Sequence, residues 1–199
     1  MHRCARRSPL THSVQPGDGA RGEVAVEHAD AIYTRQETIP LAQAFYADVQ
    51  KRLAARGRAP DSLKVFQGTS VIVAASAADA EAQYQDTARL VTIDNALDYL
   101  GRYFDHHDFT QYALEAATPR PAFAGTPEQV ADGLQAWVDA RATDGFIVRG
   151  GTPTAFTEFA TKVVPILQER GVYRRDYEGA TLREHLGLAY PVNRHARAA

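Results

Sequence analysis

Apolar residues recur at every fourth position from Leu41 through Phe45 and Val49 to Leu53, which places them on one face of an amphipathic helix. The pattern predicts a helix over "LAQAFYADVQKRLAARG", with the Lys51–Arg52 neighbourhood toward water and Gly57 as its stop. Pro60 enforces the break. Upstream, "EVAVEHAD" (Glu23 to Asp30) reads as a short helix and "AIYT" (Ala31 to Thr34) as a short strand. Downstream, "LKVFQGTSVIVAA" is apolar and β-branched, a strand that Gly68 ends or bends.

Capping chemistry marks two further helices. Ser76 and Asp79 are spaced as a capping box, so a helix starts near Ala77. In "TPEQ", Thr126 caps, Pro127 fits the first helical position and Gln129 stands three residues after the cap. That helix is expected to bury Val130, Leu134, Trp137 and Val138. "DGFIV" (Asp144 to Val148) reads as a short buried strand before a Gly150–Gly151 turn, and Pro165 should kink the helix "TAFTEFATKVVPILQERG". Strands alternating with helices of this length predict parallel βα units. Four are visible, whereas a closed barrel takes eight and about 250 residues.

Composition narrows the function classes. The chain has 199 residues, 45% hydrophobic and 23% charged, enough for one domain with its own core. A formal net charge of -2 and a pI near 6.4 argue against a nucleic-acid or anionic-membrane binder. Cys4 is the single cysteine, so no internal disulfide forms and no cysteine-based zinc site, which points to the cytoplasm. The segment "MHRCARRSPLTHSV" is basic without the apolar stretch of a secretory signal, and nothing approaches a membrane span.

Three stretches carry candidate chemistry. "QPGDGARGE" (Gln15 to Glu23) holds three glycines ahead of a helix, an arrangement open both to anion binding and to an ordinary turn. "DHHD" (Asp105 to Asp108) has metal-binding residue types, but adjacent His106 and His107 converge poorly on one ion, so a polar loop is preferred. Asp144 precedes the last strand, where a turn is preferred because barrel chemistry gathers at the strands' carboxyl ends. By that rule a ligand is met in the loops after Val14, Thr34, Phe66 and Val148. There is no G-x-S-x-G elbow, and His12, His28, His185 and His195 have no recognisable partners. His28 reads as a surface or packing residue, and Tyr173 and Tyr177 as packing aromatics with one wet end.

Several stretches together resemble one family. "GTPEQVADGLQAWVDARATDGFIV" is similar to the late segment of bacterial luciferase-like flavin monooxygenases. "FTEFATKVVPILQERGVYRRDYEGATLREHLGL" resembles the C-terminal end of its nitrilotriacetate and dibenzothiophene-sulfone monooxygenase branch. "HADAIYTRQETIPLAQAFYADVQKRLAARGRAPDSLKVFQG" looks like the same branch further upstream. The likeness runs from about Gln15 to Leu188, leaving residues 1–14 as a divergent segment and 189–199 as a tail.

The resemblance implies an α/β fold, a partial (β/α)8 TIM barrel holding roughly the last four βα units plus a C-terminal extension. It implies reduced FMN delivered by a partner flavin reductase and, with oxygen, oxidation of a small organic substrate. The family holds the FMN phosphate with a Gln-Ala-Gly segment followed by two serines. Here Gln15 and Gly17 match, Pro16 replaces the alanine, and Asp18 and Gly19 take the serine positions, with Arg21 nearby. Those residues are the cofactor-binding candidates; no catalytic residue and no metal ligand is assigned. The family's earlier half has no counterpart, so the chain reads as a truncated form. It is expected to self-associate or to pair with another half-barrel, covering its open sheet edges. The alternatives are a non-catalytic half-barrel fragment and, more remotely, a metal-dependent hydrolase built on Asp105 to Asp108.

Overall fold

The computed structural model describes residues 11–13, 19–90, 92, 120–150 and 154–190. The chain divides into two compact units, one of Met1–Gly68, Ala136–Ile147 and Tyr173–Ala199, the other of Thr69–Gln135 and Val148–Val172.

The first unit opens with strand β1 (Thr11–Ser13), helix α1 (Gly19–His28), strand β2 (Ala31–Thr34) and helix α2 (Ile39–Ala55). Strand β3 (Lys64–Val73) begins in this unit and continues into the second. β1 pairs β2 in parallel with Thr11 opposite Ala31, and β2 pairs β3 in parallel with Thr34 opposite Gln67. Strand β5 (Gly145–Gly150) pairs the other edge of β3. Lys64 N–H donates toward β2, to the Asp30 carbonyl at 3.0 Å, whereas the Val65 carbonyl accepts from Asp144 N–H at 2.9 Å. β1, β2 and β3 lie side by side in that order and run parallel, and β5 pairs β3.

Local sequence explains most boundaries. Thr38 caps α2 by accepting from Leu41 N–H at 3.4 Å, Pro40 sits in its first turn, and Gly57 leaves it at φ 64°. The buried stripe of α2 is Ala42, Phe45, Val49 and Leu53; Leu41 is 53% exposed. Four-residue steps rotate about 40° each on a helix, so the stripe predicted from Leu41 drifts off the packed face and Ala42 takes its place. Phe45, Val49 and Leu53 pack on Ala25 and Val26 of α1 and on Ile32, Leu63 and Val65. That cluster covers one face of the sheet.

In the second unit, helix α3 (Ala77–Arg89) starts where Ser76 accepts from Asp79 N–H at 3.1 Å. A short strand β4 (Phe123–Gly125) pairs the far half of β3 in parallel, Val71 opposite Phe123. No sequence pattern marks this strand, because three residues are too few to show a period. Helix α4 (Pro127–Asp139) carries the expected box: Thr126 N–H donates to Gln129 Oε1 at 3.0 Å, and Gln129 N–H to Thr126 Oγ1 at 3.3 Å. Val130, Leu134 and Trp137 are buried with Ala131, but Val138 is 43% exposed, rotated off the face as Leu41 is. β5 runs through Gly150, where a turn was expected; Gly151 lies outside the described residues.

The expected kink at Pro165 takes a different form. Helix α5 (Ala155–Glu158) passes into a π-helical stretch, Phe159–Val163, before helix α6 (Val164–Glu169). Pro165 lacks an N–H and crowds the preceding turn, and widening that turn accommodates the ring without breaking the helix.

Candidate functional site

The carboxyl ends of β1 and β2 are where a parallel βα fold meets ligands. β1 is followed by residues 14–18 and then by α1, whose first N–H groups have no partner within the helix. Of the cofactor-binding candidates, Gly19 opens α1 and Arg21 lies in its first turn. Gln15, Gly17 and Asp18 lie outside the described residues, as does the Asp105 to Asp108 cluster. Among the described residues no group of acidic, histidine or cysteine side chains is arranged to hold a metal.

α1 is strapped in place by three arginines. Glu23 accepts from Arg52 Nη1 at 2.5 Å and from the Arg56 guanidinium. Arg56 first, then Arg52, holds the Glu23 carboxyl below its ordinary range against the opposing effect of burial. At the other end of the helix, Arg58 donates to the Val26 carbonyl at 2.5 Å, the Ala29 carbonyl at 2.9 Å and the Ser62 carbonyl at 2.9 Å. Burial lowers its pKa, with Asp30 acting the other way. The middle and the C-terminal end of α1 are thereby tied to the segment running from α2 to β3.

At the end of β2 lies a buried polar knot that the sequence did not flag. Gln36 donates its side-chain amide to Thr34 Oγ1 at 2.8 Å. Gln67, on β3, accepts from Gln36 N–H at 3.0 Å and donates to the Gln36 carbonyl at 2.8 Å. Thr34, Gln36 and Gln67 are all buried, and among the described residues no buried side-chain polar atom lacks a partner. The loop after β2 is thus pinned by side chains that imitate a ladder. Its one signal in sequence was a glutamine inside the otherwise apolar "KVFQG".

The sheet face away from α1 and α2 carries Tyr33 and Phe66, which stand opposite one another in register. A Cβ at Gly68 would collide with the Tyr33 hydroxyl and ring, and one at Gly145 would stand 3.0 Å from Phe66 Cε1. Gly68 therefore does not end β3. It sits mid-strand because the Tyr33 side chain crosses the backbone there.

The amino ends of the strands are built for stability. Asp144 accepts from Tyr46 Oη at 2.9 Å and from Val65 N–H at 2.7 Å, so its carboxylate is structural, as the turn reading expected. Burial, then the Asp144 charge, pushes the Tyr46 phenol up to about 12. Thr181 and Glu184 form a capping box around helix α7 (Leu182–His185), and Arg183 pairs with Asp30 while donating to the Ala189 carbonyl at 2.7 Å. The "YEGATLREHLGL" signature therefore clasps the C-terminal segment to the start of β2. Tyr177 and Tyr173, expected to pack, are 60% and 39% exposed; Tyr177 stacks on His185 at 4.5 Å and both rings flank Arg174. His28 is on the surface beside Glu27.

Comparison with known proteins agrees with this layout. The luciferase-like monooxygenase family model matches residues 17–144. N-acetyl-S-(2-succino)cysteine monooxygenase of Bacillus subtilis is 33% identical, across 92% of this chain and 51% of the relative. Nitrilotriacetate monooxygenase component A of Aminobacter aminovorans is also 33% identical, across 96% of this chain and 52% of the relative. The chain thus spans about half the length of the curated relatives it matches. The crystal structure of long-chain alkane monooxygenase (LadA) superposes with a TM-score of 0.73 at 27% identity, over 88% of this chain and 44% of that one. DmoA from Hyphomicrobium sulfonivorans gives 0.77 at 24%, with the same coverage, a likeness of fold. No helix among the described residues is long and apolar enough to cross a membrane. The chain belongs to the luciferase-like monooxygenase family and carries part of that family's (β/α)8 barrel.

Proposed function

We propose that this chain forms part of an FMN-dependent monooxygenase, using reduced flavin from a separate reductase and oxygen to oxidise a small organic substrate in the cytoplasm. The observation that supports the reading most directly is α1. It follows the Gly-rich loop at the carboxyl end of β1, and Arg52, Arg56 and Arg58 hold its middle and its C-terminal end. A helix so held presents free N–H groups to an anion without reorganising.

The donor set fits a phosphate only in part. Gln15, the N–H groups of Gly17 and Gly19 and the guanidinium of Arg21 are suitable partners, and Asp18 opposes them. A carboxylate about 4 Å from a phosphate charge costs about 1–4 kcal/mol at surface-like dielectrics. When bound, the flavin would supply the redox chemistry. This chain's residues would grip its phosphate, and the Thr34–Gln36–Gln67 knot would hold the neighbouring loop rigid. A non-catalytic half-barrel is the second reading, favoured by the loss of both serine hydroxyls at positions 18 and 19.

Titration with oxidised and with reduced FMN, followed by flavin fluorescence and calorimetry, decides between them. Saturable binding well below millimolar, weakened by inorganic phosphate, is expected. No binding up to millimolar flavin would overturn the flavoprotein reading and leave the non-catalytic one.

A further inference from the structure

We propose that Tyr33 and Phe66 form a floor for the flavin ring, with the Tyr33 hydroxyl as its hydrogen-bond donor. This deepens the reading of an FMN-dependent enzyme and rests on it. Side chains on a strand ordinarily stand away from the sheet, and in barrels of this type they fill the space above it. Two rings in the first unit lie down instead. The Tyr33 phenol crosses from β2 and occupies the place of a Cβ on Gly68, so its tip rests on the backbone of β3. Phe66, opposite Tyr33 in register, leans on Gly145 of β5, its Cε1 3.0 Å from where a Cβ would stand. Glycine inside a strand weakens it and packs nothing of its own. Its presence under each ring keeps the ring low and leaves volume above the sheet.

The hydroxyl is a second, separate observation. Phenylalanine would cover Gly68 as well as tyrosine does, so the packing has no use for the oxygen. Among the described residues nothing hydrogen-bonds it, and the side chain is only half-buried. Tyr46 and Tyr190, by contrast, donate to Asp144 and Glu184. Tyr33 is also the last residue but one of β2, at the strand end where parallel βα folds meet ligands. A surface of two low rings with one O–H fits a partner that is flat, aromatic and edged with acceptors. The isoalloxazine ring has that chemistry, with an extended π-face and carbonyl oxygens and ring nitrogens at its rim. A phosphate would gain only one hydrogen bond here, so the floor and the glycine-rich loop address different parts of the cofactor.

The test titrates FMN, and riboflavin, which lacks the phosphate, into the 199-residue chain and its variants, with binding read by calorimetry and flavin fluorescence. Tyr33→Phe keeps the ring and should leave the urea midpoint in place. It should weaken both ligands about fivefold, the worth of one net hydrogen bond, so that the ratio of their affinities is unchanged. The emission of bound flavin should rise as well, because an electron-rich phenol against a flavin quenches it. Phe66→Leu keeps an apolar side chain but removes a π-face, and should also weaken both ligands. Tyr177→Phe takes the hydroxyl from an exposed tyrosine bonded to Arg174, and should change neither affinity nor emission. Unchanged affinity for both flavins in Tyr33→Phe would overturn the floor alone. A loss confined to FMN would put the hydroxyl at the phosphate and equally overturn it, as would the same loss in Tyr177→Phe. A parent chain that binds neither flavin would overturn the functional reading and this inference with it.

Discussion

The Tyr33 side chain occupies the volume that any side chain at position 68 would need. Tyr33 lies on β2 and Gly68 on β3, one residue beyond the Thr34–Gln67 pair. Gly68→Ala should therefore push the phenol off the sheet and cost about 1–3 kcal/mol, the usual range for overpacking. In a Tyr33→Ala background the same change should cost less than half as much. Urea denaturation of the four proteins measures the difference, and equal costs in both backgrounds would refute the contact.

Arg183 and Asp30 are separated by more than 150 residues of sequence, and their side chains are only 14% and 21% exposed. Arg183→Ala removes both that pair and the bond to the Ala189 carbonyl, and should cost about 1.5–3 kcal/mol, as for a charged hydrogen bond. Arg183→Lys should recover only part of the loss, because an ammonium cannot fork between two acceptors. Hydrogen exchange should show the release concentrated near residues 181–189; a uniform loss across the fold would contradict the clasp.

Tyr46 gives the protein an alkaline limb. Folded Tyr46 keeps its proton to about pH 12, whereas an unfolded tyrosine releases it near 10.0. The folded state carries the extra proton between those values, so the stability this group contributes is complete below the lower one and lost as pH rises toward the higher. Tyr46→Phe should flatten the fall in urea midpoint across that window relative to the parent. Parallel curves for the two proteins would mean that Asp144 and burial do not hold the phenol.

The glycine-rich loop offers a gain-of-function test. Asp18→Ser removes a repelling carboxylate and restores one hydroxyl, and should tighten FMN about fivefold or more, as expected from about 1–4 kcal/mol of relieved repulsion. Arg21→Ala should weaken binding. If Asp18→Ser leaves the dissociation constant unchanged, the loop does not meet the phosphate.

Much of the second structural level was written locally. Strand β2 has the predicted bounds, and the caps at Ser76 and Thr126 and the stop at Gly57 act as their chemistry dictates. Each depends on residues within one turn of each other, so a linear reading contains the whole cause. Family membership was legible as well, because "YEGATLREHLGL" and its neighbours preserve an order of residue types. Leu41 and Val138 were misplaced because a four-residue repeat and the helical turn slowly fall out of phase. β4 was missed because it owes its existence to pairing with β3 rather than to any pattern of its own.

The sequence by itself determined the alternation of strands and helices, their terminations, the family and the glycine-rich loop, all properties of short stretches of chain. Only the tertiary structure decided that Gly68 shelters a tyrosine, that Gln36 and Gln67 complete each other, and that Asp144 and Arg183 serve stability at the amino ends of the strands. Those roles arise between residues about 30 to more than 150 positions apart. Side-chain chemistry names what a residue is able to bond; the fold alone selects the partner that comes within reach.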